Sequence, residues 1–355
     1  MIINVFKVFA PSTVAFFIGL FITPILTHYL YKHKLWKKKA GKIAPDGRET
    51  PIFNELHKER EVGTPRLGGI IIWVTTLITT LIFWLLGNYA DWPVFAKLNF
   101  LSRNQTWLPL FTLLVGSLVG LVDDVLEITG SRKPGANNGG LSFKKRLVLV
   151  SLIGLAGAWW FYYKLGLSSI VIPFLGEFAI GWLIIPLFVG TMIVLFSSGV
   201  IDGIDGLAGG VMATIFAAYT GIAFFQNQID LAAFAAATTG GILAFLWFNI
   251  PPARFYMSET GILGLTTTLT ILAFLTESVV VLPIIALPLF ATVVGNVLQL
   301  GSKKLRNGKK IFKIAPLHHH FEAIGWPPYK VVMRYWVIGI MAAIIGLIIT
   351  LIGRQ

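Results

Sequence analysis

Residues 197–210 read Ser197-Ser198-Gly199-Val200-Ile201-Asp202-Gly203-Ile204-Asp205-Gly206-Leu207-Ala208-Gly209-Gly210, with apolar runs on either side at 181–198 and 206–226. Runs near 20 apolar residues cross a bilayer as helices, because backbone polar groups in lipid must be satisfied within the segment. Acids are costly beside lipid, so a carboxylate pair three residues apart at the mouth of two spans marks a functional site by default. The rest of the chain repeats the apolar pattern. Ten spans are predicted, at 6–31, 67–87, 107–122, 146–163, 181–198, 206–226, 231–249, 261–276, 279–301 and 331–352. The 355 residues are 55% hydrophobic and only 13% charged, roughly half the charged share of a soluble domain. The expected fold class is an all-α polytopic membrane protein, with 1–355 forming one integral membrane domain.

The apolar stretch 262–300 is too long for one helix, and Thr276-Glu277-Ser278 is its polar break. Between spans four and five, β-branched residues flank a Pro/Gly turn in Ser168-Ser169-Ile170-Val171-Ile172-Pro173-Phe174 and Gly176-Glu177-Phe178, which predicts a small β-hairpin. The first apolar run lacks a basic n-region and a small-residue cleavage site, so it reads as a retained span. Of 29 Lys and Arg residues, 24 fall in 32–66, 125–146, 254 and 302–334. Such residues collect on the cytoplasmic side, which puts both termini outside and the hairpin on the outer face. Attraction to anionic headgroups accounts for most of the +13 net charge, with a share left for anionic substrates. Nucleic acid is not an expected partner, because the basic residues alternate with spans and form no stripe. Cysteine is absent, which excludes disulfides and Cys-ligated zinc.

On this topology the polar clusters fall at the inner ends of spans. Asp123-Asp124 ends the third span, where carboxylates oppose the helix dipole and ask for a cation; Mg²⁺, with its oxygen ligands, suits that demand. Asp202 and Asp205 open the sixth span, where one Asp suffices as a cap and the second is unexplained. The glycines beside them allow close ligand approach, and a helix N-terminus favours phosphate. Asn249, Tyr256 and Glu259 share the loop after the seventh span, in which Pro251-Pro252 re-aims the chain. His318-His319-His320 lies in the last inner loop, without the i, i+4 spacing of a helical zinc motif. A secondary transporter would place its ionisable residues near the bilayer midplane, which these do not do.

Gly63-Thr64-Pro65-Arg66-Leu67-Gly68-Gly69, Asp123-Asp124, Asp202-Gly203-Ile204-Asp205-Gly206-Leu207-Ala208 and the 249–261 loop resemble the polyprenyl-phosphate N-acetylhexosamine-1-phosphate transferases. The stretch 311–336, with Ala315-Pro316-Leu317-His318-His319-His320-Phe321-Glu322 and Gly325-Trp326-Pro327, is similar to the branch called MraY, the phospho-N-acetylmuramoyl-pentapeptide transferases. The family's ten spans with outer termini match the count above. The resemblance implies a reaction at the cytoplasmic face of the bacterial plasma membrane, in peptidoglycan biosynthesis. Undecaprenyl phosphate attacks the sugar-linked phosphate of UDP-N-acetylmuramoyl-pentapeptide, giving lipid I and UMP. It implies Asp123, Asp124, Glu259 and His318 as catalytic, with Mg²⁺ held by Asp123, Asp124 and Glu259. Asp205 and Tyr256 would hold the uracil, and Asp202, Gly203, Ile204, Asn249, His319 and His320 would line the remaining substrate region. The expected partners are the two substrates and the lipid bilayer, with a homodimer left open. The carrier tail is expected beside 279–301, whose Pro283 and Pro288 permit bending.

The departures from the family pattern are specific. Ser258-Glu259 replaces the usual Gly-Asp, Glu127 stands where Asp-Asp-x-x-Lys would have lysine, and Glu61 replaces a basic residue before Gly-Thr-Pro. Phe196 and Gly199 replace asparagines. Arg66, in place of a small polar residue, is the expected substitute for the missing cations, with Lys144 and Lys145 as further candidates. The competing readings are the same chemistry on another UDP-sugar, and a degenerate homologue acting as a membrane scaffold.

Overall fold

Two helices whose surfaces are built from small residues and threonines set the architecture of the protein, described here from a computed structural model covering residues 2–37, 62–103, 105–130 and 140–354. The helices in chain order are α1 (Ile2–Lys32), α2 (Ile70–Tyr89), α3 (Pro93–Leu98), α4 (Trp107–Thr129), α5 (Phe143–Trp159), α6 (Ile184–Ser197), α7 (Leu207–Phe225), α8 (Ile229–Asn249), α9 (Ser258–Leu275), α10 (Leu282–Ile285), α11 (Leu287–Leu305), α12 (Leu317–Ala323) and α13 (Pro328–Ile352). The apolar stretch of α9 is 83% buried and that of α8 78%, against 22% for α1, so α8 and α9 form the centre and α1 the lipid-facing rim.

Small residues let these helices approach closely, which is how helices associate where no hydrophobic drive separates protein from lipid. A Cβ at Gly120 of α4 would lie 2.1 Å from the Glu259 carbonyl oxygen, and one at Gly264 of α9 would lie 2.0 Å from Ser117 Oγ. Thr266, Thr267, Thr268 and Thr270 are buried in α9, and each returns its hydroxyl to the carbonyl four residues earlier. Their polar atoms are thereby satisfied inside the apolar bundle.

Among the described residues, nine helices are long and apolar enough to cross a membrane by length and composition. The chain is a multi-pass membrane protein. The tenth expected span, 279–301, is divided at Ala286 into α10 and α11. Pro283 and Pro288 each stand at the start of a helix, where the missing N–H costs nothing. Asn296, Gln299, Lys303 and Lys304 dilute the apolar character of α11. The other break falls as expected, with α9 ending at Leu275 and Glu277 in the left-handed region.

The predicted hairpin forms from β1 (Ser169–Ile172) and β2 (Gly176–Ala179), paired antiparallel. It lies beside the C-terminus, where Phe174 N donates to Gly353 O at 2.9 Å. Lys7 reaches Asp230 at 2.5 Å, Gln228 Nε2 donates to Leu275 O at 2.9 Å, and Arg354 pairs with Glu277. These contacts gather the start of α1 and the end of α13 at the face opposite the acid-bearing loops.

Candidate active site

The Gly116–Gly120 face of α4 lies against the first turns of α9, and one turn beyond Gly120 come Asp123 and Asp124. The helix does not stop there, as the sequence suggested, but runs to Thr129 and carries Glu127 as well. Cations and backbone N–H groups opposite these acids permit the extension. Asp124 is fully buried; its Oδ2 accepts from Thr260 N at 2.8 Å and Thr260 Oγ1 at 2.6 Å, and its Oδ1 accepts from Glu259 N at 3.3 Å. It caps α9 from a neighbouring helix, satisfying N–H groups that have no partner within their own helix.

Asp123 sits at the rim of the same cleft. Its Oδ1 accepts from Leu141 N at 2.5 Å, and its Oδ2 faces Arg146 Nη1 at 3.4 Å. The same Nη1 pairs with Glu259 Oε1, so one guanidinium bridges two of the three acids expected to bind metal. Arg146 was absent from the sequence expectations, which named Lys144 and Lys145. Those two are exposed, whereas Arg146 shares a helix face with buried Val150, and that four-residue spacing was the available signal.

Arg66 does reach the cleft. It pairs with Glu127 and lies 3.8 Å from Asp124 Oδ1, while Lys37 Nζ meets the other Glu127 oxygen at 3.0 Å. The cation gained at 66 and the anion at 127 therefore face each other. Glu61 lies outside the described residues.

The loop at 202–206 is tied to the loop at 249–259 by side chains. Asp202 Oδ2 accepts from Ser258 N at 2.8 Å, and Asp205 Oδ2 accepts from Ala253 N at 3.2 Å. The cap position of α7 is Gly206, at φ +81°. Buried Asn249 accepts from Gly206 N at 2.9 Å and donates to Phe255 O at 2.8 Å, which commits both ends of its amide to the two loops. Ile204 packs into the core. Tyr256 is half-buried, and its backbone hydrogen bonds to Pro65 and Gly68 join the 249–259 loop to the Gly-Thr-Pro segment. Ser258 has φ +58°, a left-handed conformation costing about 1 kcal/mol for a residue with a Cβ, which is where the family pattern has glycine.

The histidine run joins this loop pair. A Cβ at Gly203 would lie 2.7 Å from His318 Nε2 and 2.8 Å from His319 Nε2, so only glycine lets both buried imidazoles sit against the loop. His319 Nδ1 is held by Glu322 Oε2 at 2.6 Å, which fixes the ring. His320 turns away; its Nδ1 accepts from Lys313 N at 3.2 Å, and its ring lies against Phe312. Partial burial, aided by the Lys313 charge, holds the His320 pKa below its ordinary value, favouring the neutral form its acceptor role needs.

Magnesium takes a near-octahedral shell of oxygens. Here Asp123 Oδ1 and both Asp124 oxygens accept N–H groups, and Arg146 stands between Asp123 and Glu259. Among the described residues, no three His, Asp or Glu side chains form a group able to hold a metal ion. This donor set does not fit Mg²⁺.

A family model described as Glycosyl transferase family 4 matches residues 106–277. The chain is 31% identical over 356 residues to the phospho-N-acetylmuramoyl-pentapeptide-transferase of Chloroflexus aggregans, an alignment covering 96% of this chain and 89% of the relative. The transferase of the same name from Caldanaerobacter subterraneus subsp. tengcongensis is 32% identical, with 96% and 97% covered. That from Listeria innocua serovar 6a is 30% identical, with 98% and 99% covered.

Proposed function

The chain belongs to the phospho-N-acetylmuramoyl-pentapeptide-transferase family, and from that we propose that it transfers phospho-N-acetylmuramoyl-pentapeptide from its UDP derivative to undecaprenyl phosphate, giving lipid I and UMP. The observation that carries this reading is the convergence of the 123–124, 146, 202–206, 249–260 and 318–322 segments at one end of the bundle. The carrier is a membrane lipid and the nucleotide is soluble, so a cleft at helix mouths can reach both.

Phosphoryl transfer asks a protein mainly for positioning and charge neutralisation. In this reading Asp123, turned by Leu141 N and Arg146, orients the carrier phosphate for in-line attack. Arg66 and Arg146 supply positive charge beside the diphosphate. The positive end of the α7 dipole, behind Gly206, favours the negative charge of a phosphate. Asp205 and Tyr256 hold the uracil, and His318 and His319 line the sugar-phosphate region across Gly203. Asp124 and Asn249 act as positioning residues, since their polar atoms hold the loops. Lys37, Arg66 and Arg146 lie at the site end, and Lys and Arg collect on the cytoplasmic side, which supports a cytoplasmic site in the bacterial plasma membrane.

Of the three replacements that would argue for a different sugar, Phe196, Gly199 and Glu259, the first two are taken up by packing. Phe196 is buried and stacks on Phe143 with centroids 6.0 Å apart, and Gly199 abuts Ile262. The test is UMP release by the purified chain with undecaprenyl phosphate and either UDP-N-acetylmuramoyl-pentapeptide or UDP-N-acetylglucosamine. Release with the muramoyl nucleotide alone is expected. Release with the glucosamine nucleotide alone would move the substrate, and none with either would favour the scaffold reading.

A further inference from the structure

We propose that the Arg146 guanidinium is a built-in cation of this chain, standing between Asp123 and Glu259 where a divalent ion would be expected and making diphosphate binding independent of magnesium. The inference rests on the transferase reading above and concerns the charge balance of that same cleft.

Geometry comes first. One nitrogen of Arg146 serves both Asp123 Oδ2 and Glu259 Oε1, so a metal bridging these acids would have to displace the arginine. Glu259 is one methylene longer than the aspartate of the family pattern, an added reach of about 1.5 Å. That length lets its carboxylate extend from the first turn of α9 to a side chain on α5. The unusual glutamate and the bridging arginine thus answer each other. Asp124, the third candidate ligand, has both oxygens on backbone N–H groups of α9, and withdrawing them would uncap a buried helix.

The ion-paired network around Asp123 and Asp124 has four acids (Asp123, Asp124, Glu127 and Glu259) and three bases (Lys37, Arg66 and Arg146), so all but one of its negative charges are matched by cations of the chain. A divalent ion between Asp123 and Glu259 would sit beside Arg146, where like-charge repulsion in a partly buried site is strong. An incoming diphosphate meets bases that are already in place. Arginine suits this task because it stays charged and its planar fork matches phosphate oxygens. Nη1 is engaged by the acids, and among the described residues the rest of the fork makes no hydrogen bond. The chemistry needs no further reactant. One P–O bond forms to the carrier phosphate, the bridging P–O bond breaks, and the leaving charge stays on UMP.

The test uses the purified full-length chain in detergent, with Mn²⁺ as a paramagnetic probe read by electron paramagnetic resonance and UMP release read in parallel. The wild-type chain is expected to leave Mn²⁺ free at about 1 mM, and its turnover in EDTA should stay within about twofold of that in Mg²⁺. Arg146→Ala should bind Mn²⁺ at least about tenfold more tightly, and lose about 100-fold of turnover in EDTA with part regained in Mg²⁺. Arg146→Lys keeps the charge and should still exclude Mn²⁺, which separates lost charge from lost folding. Micromolar Mn²⁺ binding by the wild-type chain, or loss of its turnover in EDTA with recovery in Mg²⁺, overturns the proposal. If no condition gives turnover, the transferase reading fails, while the Mn²⁺ measurement still decides the cation.

Discussion

The two ends of the helical bundle use ion pairs in opposite ways. At the end holding both termini, each pair is a simple clasp: Lys7 with Asp230, and Arg354 with Glu277. At the other end Arg66 and Arg146 are each shared between two carboxylates, and Asp123 and Asp124 also accept backbone N–H groups from other segments. A clasp closes two segments and can be lost with little effect elsewhere. A shared network fixes several segments at once and concentrates charge where a diphosphate would lie. Charge at one end of the bundle is shared across several segments, and at the other it closes single pairs of segments.

That contrast breaks most visibly at Asp124. Its replacement by alanine orphans the Glu259 and Thr260 donors, which should cost about 3 kcal/mol of stability and about 100-fold in turnover. Chemical melts and UMP release measure both, and a variant equal to wild type in each would refute the trans cap. Gly203→Ala tests the histidine contact with a single methyl group. Turnover should fall about tenfold with little change in melting temperature, and unchanged turnover would detach His318 and His319 from the site.

A charge-pair cycle sharpens the comparison further. Arg66→Ala leaves Glu127 facing the nucleotide with less compensation and should raise KM about tenfold. The double variant with Glu127→Ala should recover most of that loss, since the two residues act as a pair. Additive losses would show that Arg66 contacts the nucleotide on its own account. The smallest effect belongs to the far end. Lys7→Ala should cost no more than about 1 kcal/mol and leave UMP release unchanged.

Much of this plan was legible in the chain. Span lengths, the break at 276–278 and the hairpin follow from apolar runs interrupted by turn residues, which are local signals. The grouping of Asp123, Asp202, Asp205, Glu259 and the histidines at one end follows from strict alternation of spans. What sequence concealed is who meets whom within that end. Asp124 looks like Asp123 in the sequence, yet the close approach of Gly120 to Glu259 turns it into a cap for α9. Asn249 reads as a substrate-facing amide, but the loops on either side consume both of its polar ends. Arg146 is the first partly buried residue after two exposed lysines, a difference of helical phase that composition does not register. The division of 279–301 at Ala286 was foreshadowed only by its two prolines.

In the proposed reaction, segments far apart in the chain close around one nucleotide diphosphate at the acid-bearing end. A uridine diphosphate sugar with a photoreactive uracil, crosslinked to the purified chain and mapped by mass spectrometry, tests it directly. The expected labels fall within 202–206 and 249–259 and disappear when excess UMP is added. Labels confined to the hairpin end, or spread over the surface and indifferent to UMP, would contradict it.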